Sequence, residues 1–146
     1  MRFKDGLHQD FFEKMVAKTH SQKDSYRKAL FYVLGLTAET RNNINTLYDF
    51  KEKGISFDGL NGPKSAWQTG TSIRITQLAF NLYNGYCGET DAEATNFTPE
   101  NLFCDCLLPY MLEAVKIRYP NYAASEDFLQ ESKEKTASRL QSEKRQ

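Results

Sequence analysis

Between Ser65 and Gly88 a single charged residue, Arg74, stands in an otherwise uncharged stretch, although Asp, Glu, Lys and Arg make up 26% of the chain. Its apolar residues recur at helical spacing: Ile75, Leu78, Ala79 and Leu82 share one face, flanked by Ile73, Phe80 and Tyr83. Arg74, Gln77, Asn81 and Asn84 follow at three- and four-residue steps on the remaining side. A helix with so little charge is most simply surrounded by other helices. The expected fold class is therefore all-α: a single compact helical bundle of five to six helices, packed around Thr71–Asn84.

The flanking segments supply the other helices. Leu7, Phe11 and Met15 form a stripe between Asp5 and Thr19, with Phe12 and Val16 beside it. From Asp24 to Leu34 the run Ala29, Leu30, Phe31, Val33, Leu34 is apolar enough for a buried helix. Thr37 reads as the N-cap of a third helix that carries Ile44, Leu47 and Tyr48 to a stop at Gly54, with Gly59, Gly62 and Pro63 marking a loop. The central helix opens near Thr69–Thr71 and closes at Gly85. Thr98-Pro99-Glu100 orders cap, first-turn proline and acid, and Pro109 separates that short helix from one carrying Leu108, Met111, Leu112, Val115 and Tyr119. Beyond Tyr122 the composition turns to Lys, Glu, Gln and Ser. The expected organisation is a helical domain over 1–122 and a polar C-terminal helix or tail over 123–146.

Composition removes several classes of function. A chain of 146 residues buries about 68–70% of its unfolded surface and needs no disulfide or metal to fold. Its 19 Lys+Arg balance 19 Asp+Glu, which argues against nucleic-acid wrapping through many phosphate contacts. No run approaches the roughly 18 apolar residues of a membrane span, and the first 20 residues are too charged for a signal peptide. Three cysteines read as reduced thiols in a cytoplasmic protein.

The residues that suit binding cluster in and before the uncharged helix. Trp67, Tyr83, Asn81 and Asn84 combine aromatic area with amide hydrogen bonding, which fits a cleft as well as a core. Thr69, Gly70 and Ser72 precede or open the helix, and Arg74 follows in its first turn. Free N–H groups at a helix start attract anions, so Gly70–Ser72 with Arg74 is a candidate cradle for a small anionic ligand, and ordinary capping explains the same residues. It is not a Walker loop, because Gly-Lys-Ser/Thr is missing.

Catalytic and metal chemistry find little support. Cys104 and Cys106 are too close for a zinc knuckle, and twelve positions separate His8 from His20, about 120° around a helix. Glu89, Asp91 and Glu93 fall in an expected loop. No catalytic residue, metal or cofactor is assigned. Arg41 and Glu113 share faces with apolar residues, so they and His8 are candidates for buried polar contacts or ion pairs.

Ala29–Gly35 (ALFYVLG), Thr40–Phe50 (TRNNINTLYDF), Trp67–Ser72 (WQTGTS), Leu78–Gly85 (LAFNLYNG) and Glu113–Pro120 (EAVKIRYP) occur in one order. With these segments the chain, from about His8 to Tyr122, resembles a functionally uncharacterised small bacterial family, a domain of unknown function also met in phages and mobile elements. The resemblance implies a helical domain and brings no catalytic residues. It suggests an accessory protein engaging a host or defence component, an anti-CRISPR being one form. The expected function is a non-enzymatic binding module with a protein partner. The alternative is a small nucleotide or phosphate-ligand sensor or enzyme using the helix start at Gly70–Ser72.

Overall fold

The computed structural model describes residues 1–56, 66–103, 105–123 and 125–145, without the side chains of residues 105 and 125–130. The expected loop residues Gly59, Gly62 and Pro63, and Cys104, lie outside the described residues. The longer helices are α1 (Gly6–Thr19), α2 (Ser25–Leu34), α5 (Gly70–Asn84), α8 (Leu108–Arg118) and α10 (Ser125–Lys144). Between them stand short helices: α3 (Ala38–Asn42), α4 (Ile44–Leu47), α6 (Asp91–Ala94), α7 (Pro99–Leu102) and α9 (Pro120–Ala123). Tyr48–Asp49 (β1) and Gly54–Ile55 (β2) add a small antiparallel ribbon, with Tyr48 opposite Ile55. Among the described residues the fold is all-α apart from this ribbon.

Helices α1, α2, α3, α5 and α6 start where a short polar side chain replaces a missing intrahelical partner. Asp5 accepts from the His8 N–H at 2.8 Å, and Asp24 accepts from the N–H groups of Tyr26 and Arg27. Thr69 and Ser72 form a reciprocal capping box on α5, which ends at Gly85 with φ +77°. That left-handed conformation favours glycine. Pro99 and Pro109 both sit in first turns, where a missing N–H costs nothing.

The hub is α2, which corrects the expectation that Thr71–Asn84 is central. Every residue from Ala29 to Leu34 is fully buried, and α5, α8 and α1 pack against this helix. In α5 one side is buried (Ser72, Ile75, Thr76, Leu78, Ala79, Phe80, Leu82), while Arg74, Gln77, Asn81 and Tyr83 are half-buried and Asn84 is exposed. Absence of charge removed the markers of an exposed face, yet neutral amides serve at a rim too. The face of α1 is also rotated from its expected stripe. His8, Phe12, Met15 and Val16 are buried and Leu7 is 66% exposed, because the hydrogen bonds of His8 turn its side toward α2.

A single third helix from Thr37 to Gly54 does not form. Thr37 does cap α3, but Asn43 leaves helical geometry and Asp49 accepts from the N–H groups of Lys51 and Glu52, closing a turn. Such side-chain bonds compete with helix continuation, and Lys53 at φ +58° completes the reversal. The expected loop around Glu89, Asp91 and Glu93 contains α6, capped by Thr90. The polar tail is helical as α10, and its residues 131 and 133–145 are exposed.

Candidate functional site

The residues singled out in and before α5 are largely engaged within the fold. Ser72 is buried, accepts from the Thr69 N–H at 2.7 Å and donates to Gln68 Oε1 at 2.7 Å. Thr69 accepts in turn from the Ser72 N–H at 3.1 Å, while Gly70 is exposed at the helix start. Arg74 Nη1 donates to the carbonyls of Phe103 at 3.0 Å and Glu100 at 3.3 Å, so the guanidinium ties α5 to the end of α7. Asn81 Nδ2 donates to the Tyr86 carbonyl, and Asn84 accepts from the Tyr86 N–H. Together the two amides fold the turn that sets Tyr86 against Phe80 and Phe97. Trp67 packs half-buried on the core; the Tyr83 ring lies 5.6 Å from the Arg27 guanidinium carbon, and burial pushes its hydroxyl pKa up.

At the C-terminal end of α2, polar groups close on one another. The last four carbonyls of a helix have no intrahelical donor. Here Gly35 N–H reaches Phe31 and Leu36 N–H reaches Val33, while side chains serve the other two. His8 Nε2 donates to the Tyr32 carbonyl at 2.7 Å, and Thr40 Oγ1 donates to Leu34 at 2.6 Å. Arg41 Nη1 at 2.7 Å and Lys4 Nζ at 3.1 Å then cover the carbonyls of Gly35 and Leu36. His8 Nδ1 accepts from the Lys4 N–H at 3.1 Å. A carbonyl only accepts and an amide N–H only donates, so these partners fix the neutral Nε2–H tautomer. Burial holds the His8 pKa below its ordinary value, against the opposing pull of the Tyr32 carbonyl. With both ring nitrogens committed, His8 is a structural group. Glu113 is half-buried on α8, close enough to help raise the Tyr32 pKa, although burial is the larger cause.

The N-terminal end of α2 is different, and sequence reasoning missed it. A cleft of about 350 Å³ opens among the end of α1, the start of α2 and the β1–β2 ribbon. Arg27 is one of its lining residues. Its Nε donates to the Tyr48 hydroxyl at 2.9 Å, Nη1 to Asp24 Oδ2 at 2.7 Å, and Nη2 to the Lys53 carbonyl. The Tyr48 bond is the main reason its pKa is raised. Burial works against ionised Asp24, but the bonds from Arg27 win and leave its carboxyl below the usual range. Lys18 rests its ammonium 3.8 Å from the centre of the Phe50 ring. The cleft's residues span Lys18 to Lys53 with no regular spacing; the one local signal is the Asp24–Arg27 pair at i,i+3.

A second surface lies on α8. Met111, Ala114 and Ile117 face the core, yet Leu108, Leu112 and Tyr119 on the other side are 37%, 47% and 42% exposed. Leu108, Leu112 and half-buried Val115 fall within roughly 60° of helical arc, and Tyr119 follows at the C-cap. Arg118 donates to the Leu82 carbonyl at 2.7 Å and lies 3.6 Å from the Tyr26 ring centre and 4.6 Å from that of Tyr119.

Among the described residues, Cys87 and Cys106 are free and exposed, and no group of three His, Cys, Asp or Glu side chains is placed to hold a metal ion. Also among them, no helix is long and apolar enough to cross a membrane. No curated protein and no solved structure matches the chain. The family of unknown function DUF6075 matches over residues 1–131. That span exceeds the His8–Tyr122 resemblance at both ends and reaches into α10. A match across so much of the sequence makes this chain a member of the DUF6075 family.

Proposed function

We propose that the chain is a non-enzymatic binding module whose partner is another protein, docked on the outer face of α8. One observation carries this reading: Leu108 and Leu112 on α8, and Tyr119 at its C-cap, are exposed while the opposite side of the helix already fills the core. Covering apolar surface contributes about 25 cal/mol per Å², so a partner with a complementary apolar face gains where water does not. The adjoining Tyr26–Arg118–Tyr119 stack supplies the residue types that dominate binding energy in protein interfaces. Tyr122, 81% exposed, extends the same end of the helix. The bonds of Arg74, Asn81 and Asn84 within the fold favour α8 over the Trp67–Asn84 side. We extend the proposal to an accessory protein of a mobile element engaging a host or defence component, an extension that rests on the family resemblance alone.

The test compares wild type with Leu112→Asp in pull-downs from the native host, alongside the solution mass of each purified protein. The expected result is a stoichiometric protein retained by wild type and lost from Leu112→Asp, with Tm unchanged. Retention of the same protein by both forms overturns the reading. So does a wild-type homodimer that Leu112→Asp dissociates, since the face is then occupied by a second copy.

A further inference from the structure

We propose that the cleft between α1, α2 and the β1–β2 ribbon binds a small phosphomonoester, its phosphate held by Lys18, Arg27 and Lys53. The surface is separate from α8 and the inference does not depend on a protein partner. Charge is the first argument. Three cations and one carboxylate, Asp24, line the cleft and leave two positive charges there, in a chain of zero formal net charge. A phosphomonoester carries about −1.5 to −2 at neutral pH, which a carboxylate ligand does not match.

Availability is the second. The ion pairs among the described residues are Lys4–Asp5, Asp24–Arg27 and Arg139–Glu143, so neither Lys18 nor Lys53 has a carboxylate partner there. Asp24 does not compete for them: Oδ1 accepts from two backbone N–H groups and Oδ2 from Arg27. Lys18 has the face of Phe50, a much weaker counterpart than a dianion.

Preorganisation is the third. Arg27 spends one N–H from each of its three nitrogens on Tyr48, Asp24 and Lys53, which fixes the fork and leaves two of its five N–H groups. Tyr48, whose hydroxyl accepts from Arg27, also lines the cleft. A ligand oxygen therefore meets donors already held in position, which lowers the ordering cost of binding. Size completes the case. About 350 Å³ lies within the range of small-molecule sites, roughly 300–1,000 Å³. It leaves room beside Phe50 for an organic group attached to the phosphate.

The experiment titrates the full chain with phenyl phosphate, inorganic phosphate and sodium chloride at matched ionic strength, reading Tm and calorimetric affinity. Phenyl phosphate is expected to give a saturable rise in Tm, inorganic phosphate a weaker one, and chloride none. Lys18→Gln and Lys53→Gln are each expected to weaken phenyl phosphate binding about tenfold, the scale of one charge-assisted hydrogen bond. Lys53→Arg is expected to retain it. Both lysines are exposed, so folding survives the changes. Absence of a saturable response, or unchanged affinity in the Lys18→Gln/Lys53→Gln double variant, overturns the site. Equal affinity for inorganic and phenyl phosphate overturns the monoester assignment.

Discussion

The two ends of α2 meet the same problem, the unpaired backbone groups of a buried helix, and solve it in opposite ways. At the C-terminal end His8, Thr40, Arg41 and Lys4 each donate to a carbonyl, so every carbonyl left by the helix end has a donor. At the N-terminal end Asp24 caps the helix and pins Arg27, but Lys18, Lys53 and part of the guanidinium are left over around a cleft. Donors spent on the helix's own carbonyls, with both ring nitrogens of His8 committed, serve stability. The left-over lysines contribute little to stability and are available for binding. Substitutions at the two ends should therefore separate cleanly.

The largest effect is expected at His8. His8→Ala removes a fully buried ring, strands the Tyr32 carbonyl and leaves a cavity, which together cost about 3–5 kcal/mol in urea unfolding. Gly35→Ala attacks the same end from outside. A Cβ there would stand 2.8 Å from His8 Cδ2 and 2.9 Å from Phe11 Cδ1, with the Phe31 carbonyl oxygen at 3.2 Å. Rings wedged against backbone yield little, and the expected loss is about 1–3 kcal/mol. If His8→Ala costs under about 1 kcal/mol, water reaches this end and the contrast fails.

A smaller effect follows from protonation. Burial depresses the His8 pKa below its ordinary value near 6.5, so the unfolded chain takes up the proton first. The stability from neutral His8 is complete above about 6.5 and is lost as pH falls through that value toward the folded pKa. The carboxyls of Asp5 and Asp24 are also depressed, below 3.8, so their contribution persists above that value and disappears only at lower pH. A scan of Tm from pH 8 downward should show two steps. His8→Gln, whose amide can still donate to Tyr32, should abolish the upper step and leave the lower. A wild-type Tm that stays flat from pH 7 to 4.5 would show that His8 tolerates charge.

How much of this was legible in the sequence follows from the range of each interaction. Thr37 and Thr69 announce helix starts because a cap acts within a single turn, and Pro99 marks one because proline suits a first turn. The apolar run in α2 likewise identified a buried helix. Which helix is the hub was misread, since the neutral amides Asn81 and Asn84 fold a local turn and leave no pattern separating that use from burial. The ribbon was missed because Asp49 and Lys53 reverse the chain where periodicity still reads as helix. The cleft was invisible for a further reason. Lys18, Arg27 and Lys53 meet only after α1, α2 and the ribbon have packed, and no local spacing encodes that meeting.

The smallest expected change is the most discriminating. Lys18→Gln and Lys53→Gln remove charges that no carboxylate among the described residues balances, and both side chains are exposed. In the protein without ligand each should alter unfolding free energy by less than about 0.5 kcal/mol. The sign should be neutral or stabilising, because removing one cation eases repulsion across the cleft. Lys18 also gives up its contact with Phe50, worth about 0.5–1 kcal/mol at an exposed site, which opposes that gain. Lys53→Gln is thus the cleaner probe. A loss of 1 kcal/mol or more there would mean that the ammonium is part of the fold, and the two ends of α2 would then be alike.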